Sequence, residues 1–417
     1  MSAPITYLPP RHADLSEREA LPTAPAKSSS WRRWPARLAA GGEWLIGFAC
    51  LLVGLAIVAA IPVLQILSFG YLLEVSGRIA REGRLRAGFI GVPKAARVGL
   101  LIAHSWLMLL PIRLVSDAWY EAQLIDPLGP AARNLRGVQL VLLVLTMGHL
   151  ISAWYCGGRA RHFYWPLLSP IYLWRTWRGR LRMADWLPPL RMGRDLRLGE
   201  AYRRSRDRLW DFCVSLRLPY YFRLGGLGLL GAACWLAVPV LLLAGAAALP
   251  PGAAALAGLA GGLCLAFVAV RLPFIETNFA TEGDWDRMLD RRLTGQQFAR
   301  APLAFWIALL LTLGLAIPLH LIQAAPPLLP DLRWLLNLLF VILLLPARFA
   351  AGWAVARAKR RETPRFVVSR WGARLAAVPV AMFYALIVYL SQFINFYGSW
   401  RLLEQPAFML PAPFWLI

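Results

Sequence analysis

Long apolar stretches separated by short basic segments dominate the pattern along this chain. Eight stretches lie at 44–74, 98–116, 137–156, 224–248, 252–274, 303–325, 333–356 and 375–398. Most are close to the roughly 20 residues that a helix needs to cross ~30 Å of hydrocarbon. A soluble core does not require eight such stretches. The pattern therefore predicts an all-α polytopic membrane bundle of about eight transmembrane helices with amphipathic connectors on the cytoplasmic side.

The first stretch, 44–74, is too long for one crossing, since it would extend about 46 Å as a continuous helix. Pro62 divides it, and a proline inside a helix removes a hydrogen bond and kinks or ends the helix. Two arrangements remain open, a single tilted span or a hairpin that returns to the side from which it entered. The single span is the favoured interpretation.

The rest of the chain predicts one membrane domain with polar ends. Residues 1–43 are expected to form a disordered polar tail, 44–400 the transmembrane domain and 401–417 a C-terminal tail. An Arg-rich insert at 158–223 belongs to the membrane domain rather than to a separate one.

Within the insert, 200–216 has the spacing of an amphipathic helix. Apolar positions such as Leu209 and Trp210 fall opposite a basic face. Such a helix suits an anionic membrane surface or a contact with other loops, and both interpretations stay open. The apolar positions are Tyr202, Leu209, Trp210, Cys213 and Leu216, and the basic ones are Arg203, Arg204 and Arg208.

Charge adds an orientation. The 417 residues include 45 Lys or Arg and 22 Asp or Glu, a net charge of +23. The basic residues flank the apolar stretches beside Trp and Tyr, which favours anionic lipid headgroups over nucleic acid as the partner. Alternate loops hold 34 of the 45 basic residues and should be cytoplasmic. The Arg-rich composition is typical of a GC-rich bacterial genome, so the expected location is the bacterial cytoplasmic (inner) membrane.

Motifs of known chemistry are weak. The five cysteines lack the spacing of a disulfide framework or a zinc site. A G-x-G-x-x-G match, Gly226 to Gly231, opens an apolar helix rather than following a strand, which indicates helix packing and not dinucleotide binding. The sequence contains no P-loop, HExxH or G-x-S-x-G motif. We therefore expect no cofactor, no metal and no catalytic residue.

Two sets of residues are candidates for a chemical site. An acidic connector contains Glu276, Glu282, Asp284, Asp286 and Asp290. Its Asp284-Trp-Asp286 segment resembles a metal-binding Asp-x-Asp, but pairing with Arg287, Arg291 and neighbouring basic loops is the favoured interpretation. The histidines in apolar stretches lie on different predicted helices without a second ligand nearby in sequence, so cross-helix hydrogen bonds are favoured over metal or haem binding. They are His104, His149 and His320.

Two arginines near or inside apolar stretches are the candidate anion- or lipid-binding residues. Arg348 lies nine residues before Arg357, about 13 Å along a helix, where a charge costs roughly 2.5–3.5 kcal/mol on insertion scales. Glu74, helix-end carbonyls or a lipid phosphate near Arg271 are the expected acceptors, and the phosphate is preferred because it suits a guanidinium fork. On that basis, replacing Arg348 by Leu should leave folding nearly intact and remove bound anionic lipid.

A short internal repeat leads to a family resemblance. Ile79-Ala-Arg-Glu-Gly83 recurs as Phe279-Ala-Thr-Glu-Gly283, each before an amphipathic connector and a new span. The run Ile61-Pro62 through Gly70-Tyr-Leu-Leu73 to Glu82-Gly83 resembles the opening of an uncharacterised prokaryotic family of multi-pass membrane proteins that carries a domain-of-unknown-function label. The segment from Phe279 to Pro302 is similar to that family's later connector. The resemblance implies a membrane domain of six to eight helices and no activity.

Together these patterns favour a non-enzymatic membrane component that organises lipids or partner proteins. An uncoupled transporter of a small or anionic solute is the second hypothesis and a lipid-modifying enzyme the third. Coupled transport is disfavoured because no Asp or Glu falls within the centre of an apolar stretch. A cavity reaching Arg348 would favour transport, and a carboxylate–histidine cluster would favour an enzyme.

Overall fold

The computed structural model describes residues 30–180, 182–246, 248–324 and 333–394, and within them it is helical without strands. Short 3-10 helices occupy Leu85–Gly88 and Trp285–Met288. The α-helices are α1 Ser30–Ala60, α2 Gln65–Glu82, α3 Val92–Ile125, α4 Pro130–Tyr155, α5 Ala160–Phe163, α6 Trp165–Trp177, α7 Met183–Trp186, α8 Pro188–Arg197, α9 Ala201–Ser215, α10 Leu218–Ala246, α11 Pro251–Glu282, α12 Arg291–Arg300, α13 Pro302–Ala324, α14 Arg333–Lys359 and α15 Val367–Ile394.

Among the residues that the structure describes, eight helical stretches are long and apolar enough to cross a membrane, which confirms the predicted fold class. They are Ala40–Ala60, Val92–Ile125, Pro130–Tyr155, Ala201–Ala246, Pro251–Glu282, Pro302–Leu319, Leu335–Lys359 and Val367–Leu390. Each corresponds to one of the apolar stretches of the sequence. The chain is a multi-pass membrane protein.

The first apolar stretch is a hairpin, so the favoured single span is wrong. Residues 61–64 break the helix after Ala60, and Val63 takes a positive φ of 68°. The hydroxyl of Ser68 on α2 donates to the carbonyl of Leu55 on α1 at 2.8 Å, and Phe48 stacks edge-on with Phe89 beyond the end of α2. Both contacts require α2 to run back along α1.

The predicted N-terminal tail, 1–43, is helical from Ser30 onward, and its first 29 residues lie outside the described part of the chain. The predicted C-terminal tail, 401–417, also lies outside it. The compact unit that holds every site considered below begins at Glu43.

Helix α2 lies at the centre of the bundle and packs against α10, α11 and α14. It buries thirteen of its eighteen residues, including Gln65, Ser68, Glu74 and Ser76. The surrounding core continues through α13 and α15, with large side chains such as Leu272 and Phe305 fully or almost fully buried.

Glycines set the spacing between these central helices. A Cβ on Gly70 would overlap the carbonyl oxygen of Tyr221 on α10, and a Cβ on Gly225 would overlap that of Ile66 on α2. The predicted helix-packing role of the G-x-G-x-x-G match is confirmed for two of its glycines, since Gly228 lies against Leu73 and Gly231 against Met288. Small residues at such crossings let membrane helices approach closely.

Helices α3 and α4 form a separate antiparallel pair, which we call the arm (92–155). The arm has its own small core around Leu150, Ala153 and Phe163. It meets the bundle near α1, where Gly99 lies against Cys50. The insert helices α5–α9 follow the arm, and α8 packs against α4.

The predicted helix at 200–216 is confirmed as α9, Ala201–Ser215. Arg204 donates to Asp195 at 2.5 Å and Arg208 donates to the carbonyl of Tyr155 at 2.8 Å, so these arginines attach the helix to α8 and α4. Leu209 and Trp210 are 65% and 69% exposed. The apolar face is therefore not packed against described loops.

Candidate functional site

Three helices, α2, α11 and α14, run parallel and end together. Gly77 of α2 lies against Ala280 of α11, and Gly352 of α14 lies against Ser76 of α2. The guanidinium of Arg360, just after α14, donates to the carbonyl of Gly83, just after α2, at 2.6 Å. This arrangement places the loops after the three helices at one end of the bundle, which we call the basic end because Arg-rich segments surround it.

The sequence repeat corresponds to a structural one at this end. Gly83 and Gly283 both end their helices in the left-handed conformation, with φ of 69° and 74°, and each donates its N–H to the carbonyl four residues earlier. Each is followed after one residue by a four-residue 3-10 helix. A left-handed residue at this position favours glycine, which explains why Glu-Gly recurs.

A buried ion pair lies about two to three turns inside the basic end. Arg348 of α14 donates to Oε2 of Glu276 on α11, and the two residues are 6% and 0% exposed. The guanidinium also lies over the ring of Phe69 on α2, 5.4 Å from its centroid. The other oxygen of Glu276, Oε1, is buried without a partner among the described residues. The pair joins α11 to α14 beside α2.

The expected acceptors of Arg348 need correction. Glu74, one of the candidates, accepts instead from Arg81 and from the hydroxyl of Tyr220, the latter at 2.7 Å. The carboxylate of Glu276 is the acceptor. Sequence reasoning missed it because Glu276 falls two residues beyond the apolar stretch 252–274 and was assigned to the acidic connector. Helix α11 continues to Glu282, and the apolar residues on both sides of Glu276 were the available signal.

Arg271, the second candidate, lies in different surroundings. Its guanidinium stacks over Phe267 at 3.8 Å from the ring centroid and donates to the carbonyl of the same residue at 3.1 Å. It lines a cavity of about 350 Å³ together with Arg374 of α15, and Arg348 does not line that cavity. The structure therefore does not bring the two candidate arginines together.

The acidic connector is organised by helix caps and ion pairs. Asp284 accepts from the backbone N–H of Asp286 at 3.3 Å, and Asp290 accepts from that of Leu293 at 2.9 Å. Arg287 pairs with Asp290 and with Glu282, whereas the ion pairs expected for Asp284 and Asp286 are not found among the described residues. Hydrogen bonding to Glu282 raises the pKa of Arg287 above its ordinary value. In the described residues no three His, Cys, Asp or Glu side chains form a metal-binding group.

Two of the three candidate histidines meet at the base of the arm. His104 stacks on Phe163 with ring centroids 5.4 Å apart, and Nε2 of His149 hydrogen bonds to the carbonyl of Phe163 at 2.8 Å. The hydrogen bond of His149 is the expected cross-helix one, whereas His104 hydrogen bonds through Nδ1 to the carbonyl of Leu100 on its own helix. The side chain of His320 lies outside the described residues.

Two further titratable groups fix the insert and were not singled out in the sequence. The hydroxyl of Tyr155 donates to Asp195 at 2.6 Å and, together with Arg204, lowers the pKa of that carboxyl. His162 is buried beside Arg161, and burial followed by the neighbouring arginines lowers its pKa to about 4. Both groups are buried although they lie in an Arg-rich polar segment, so hydropathy gives no signal for them.

Comparisons with protein-family models, curated proteins and solved structures found no match to the chain. The resemblance to an uncharacterised membrane protein family therefore stays a prediction. The structure identifies a multi-pass helical membrane protein with a buried ion pair at its centre and a basic end.

Proposed function

We propose that this protein is a non-enzymatic component of the bacterial cytoplasmic membrane that organises anionic lipids at its basic end. The observation that carries the proposal is the attachment of α9. Arg204 and Arg208 hold this helix to the protein, while Leu209 and Trp210 face outward. A surface helix with exposed aromatic and aliphatic side chains within an Arg-rich segment suits the headgroup layer of an anionic leaflet.

The buried ion pair supports an organising role over transport. Arg348 and Glu276 neutralise each other in the protein interior, so Arg348 does not line an open path. Buried charges in membrane proteins are costly unless they are paired. This pair is explained by helix association, and it needs no solute.

Vesicle experiments test the proposal. The full chain is reconstituted into phosphatidylcholine vesicles with about one fifth fluorescent phosphatidylglycerol, and energy transfer from the protein measures how strongly the anionic lipid is enriched around it. Leu209→Ser with Trp210→Ser should at least halve the enrichment, because both exposed side chains leave the bilayer. The matched control is Leu128→Ser, at a still more exposed leucine (86%) in the loop at the other end of the arm.

Spin labels give the geometry of the same surface. A label at position 210 should be shielded from a water-soluble relaxing agent, and a label at exposed Asp211, about a quarter turn around α9, should be accessible. Equal water exposure at the two positions, together with unchanged enrichment in the double variant, would contradict the proposal.

A further inference from the structure

A cavity of about 350 Å³ opens between α11, α12, α13 and α15, separate from the buried ion pair. Its volume is at the lower end of the range of about 300–1,000 Å³ that is typical of small-molecule sites. Phe267, Phe274 and Phe305 contribute to its apolar wall. The size and shape suit a chain or ring rather than an ion alone.

The cavity has a polar end and an apolar end. Helices α13 and α15 begin at the basic end of the bundle, and α11 finishes there. Arg374 therefore lies nearer that end than Ala381 on the same helix, and Arg271 lies nearer it than Ala266. The residues that line the deeper part are apolar on all three helices, as Leu309 is on α13. The cavity lining thus changes from charged to apolar along the same direction in which the membrane changes from headgroups to hydrocarbon.

The polar end holds positive charge without compensation. Neither Arg271 nor Arg374 has a carboxylate within 4.0 Å among the described residues. Arg291 does not line the cavity, but its positive charge adds to the repulsion at Arg271. Trp306 lines the same cavity, and its indole N–H is buried without an acceptor in the part of the chain that the structure describes. Guanidinium groups and an unused N–H donor are complementary to phosphate and ester oxygens.

We propose that this cavity binds one anionic phospholipid, with its phosphate between Arg271 and Arg374 and one acyl chain in the apolar part. This proposal rests on the proposed function, because both assign an anionic lipid as the ligand. It adds one defined binding site for that lipid. Charge complementarity at one end and apolar lining at the other select an amphiphile over a free anion. The depth of the arginines selects a lipid of the leaflet at the basic end.

Lipid retention by the purified full-length protein tests the site. The protein is stripped in neutral detergent, incubated with phosphatidylglycerol or with phosphatidylcholine of identical acyl chains, and analysed by native mass spectrometry. The wild type should retain phosphatidylglycerol at least fivefold more than phosphatidylcholine. Arg271→Gln and Arg374→Gln should each reduce retained phosphatidylglycerol at least fivefold. The matched control is Arg178→Gln, which removes an exposed arginine stacked on Trp174 outside the cavity.

A steric variant tests the acyl-chain part without changing charge. Val378 lines the cavity but is 57% exposed, so Val378→Trp should narrow the cavity without disturbing the core. It should reduce retention of both lipids at least threefold. This variant keeps the proposal testable if an arginine variant fails to fold.

Four outcomes would overturn the site. They are equal retention of the two lipids by the wild type, an equal loss in Arg178→Gln, no effect of Val378→Trp, and displacement of the lipid by inorganic phosphate alone, which would indicate a simple anion site. The vesicle experiment separates this site from the proposed function. If the cavity site is disproved but anionic lipid is still enriched around the Arg271→Gln/Arg374→Gln double variant, the proposed function remains supported.

Discussion

Helix α2 buries thirteen of its eighteen residues, whereas α3 in the arm buries three of thirty-four. Hydropathy ranks the two helices in the other order. Helix α3 is long and apolar enough to span a membrane, whereas α2 carries two arginines and two glutamates and is not among the candidate spans. The more apolar helix is therefore the outer one. Lipid tails are as apolar as leucine, so burial of apolar surface gives little drive for one membrane helix to leave lipid for protein.

The comparison identifies what holds the centre together. Helix α2 meets its neighbours through glycines at 70 and 77 and through polar groups such as Glu74. The arm has close contacts at few positions and presents side chains such as Ile102 and Val144 outward, where hydrocarbon can solvate them. Packing of small residues and internal hydrogen bonds, rather than hydropathy, distinguishes the centre from the periphery. Three predictions test this difference.

The largest effect is expected at the buried ion pair. Arg348→Leu leaves the carboxyl group of Glu276 in the interior without its partner, so it should lower the free energy of unfolding by about 3–5 kcal/mol. This replaces the sequence-based expectation that folding stays nearly intact. Arg113→Leu in the arm, an exposed arginine near Trp106, should change the stability by less than about 1 kcal/mol. Unfolding by sodium dodecyl sulfate in mixed micelles measures both.

The double variant separates charge from packing. Arg348→Met with Glu276→Leu removes both charges and should recover most of the loss. A double variant as unstable as Arg348→Leu would show that the shape of the two side chains, and not their charges, holds α11 to α14.

The second largest effect is expected from the same substitution, Gly→Ala, made at two different positions. Gly70→Ala should destabilise the protein by about 2–3 kcal/mol, because the new methyl group meets the backbone of α10 and overpacking cannot relax there. Gly137→Ala in α4 meets no atom within 4 Å and should be neutral or stabilise by up to about 1 kcal/mol through helix propensity. Thermal unfolding in detergent compares the two. Equal effects would mean that the helices at Gly70 can separate freely.

The eight spans could be predicted from the sequence because length and hydropathy alone define a membrane crossing. The hairpin of α1 and α2 could not be decided, since a kinked span and a broken one share the same apolar pattern around Pro62. The polar residues that distinguish α2, such as Gln65 and Glu74, indicate burial only once its neighbours are known.

The candidate site was predicted in part for a similar reason. The depth of Arg348 follows from its distance to the end of an apolar stretch, and its need for an acceptor follows from electrostatics. Glu276 lies 72 residues away, and only the parallel packing of α11 and α14 shows that the two side chains meet. Arg271 was singled out from its position, but its cavity depends on Arg374 and Trp306 from other helices.

The smallest effect concerns the base of the arm and its dependence on pH. Arg161 donates to Nε2 of His162, which is therefore neutral, and the pKa of this buried imidazole is about 4 against an ordinary value of 6.5. Below pH 6.5 the unfolded segment gains a proton that the folded one resists. The arm should therefore be fully stable above pH 6.5 and lose up to about 2 kcal/mol by pH 5. Hydrogen exchange of peptides from α4 and α5 should then accelerate between pH 6.5 and 5, after correction for the intrinsic rate. His162→Phe should abolish this change. The pKa of Asp195 is lowered, so the stability that its carboxylate contributes is lost only in more acidic solution. An unchanged pH dependence in His162→Phe would assign the effect to another group, while α2 should show no such acceleration in either protein.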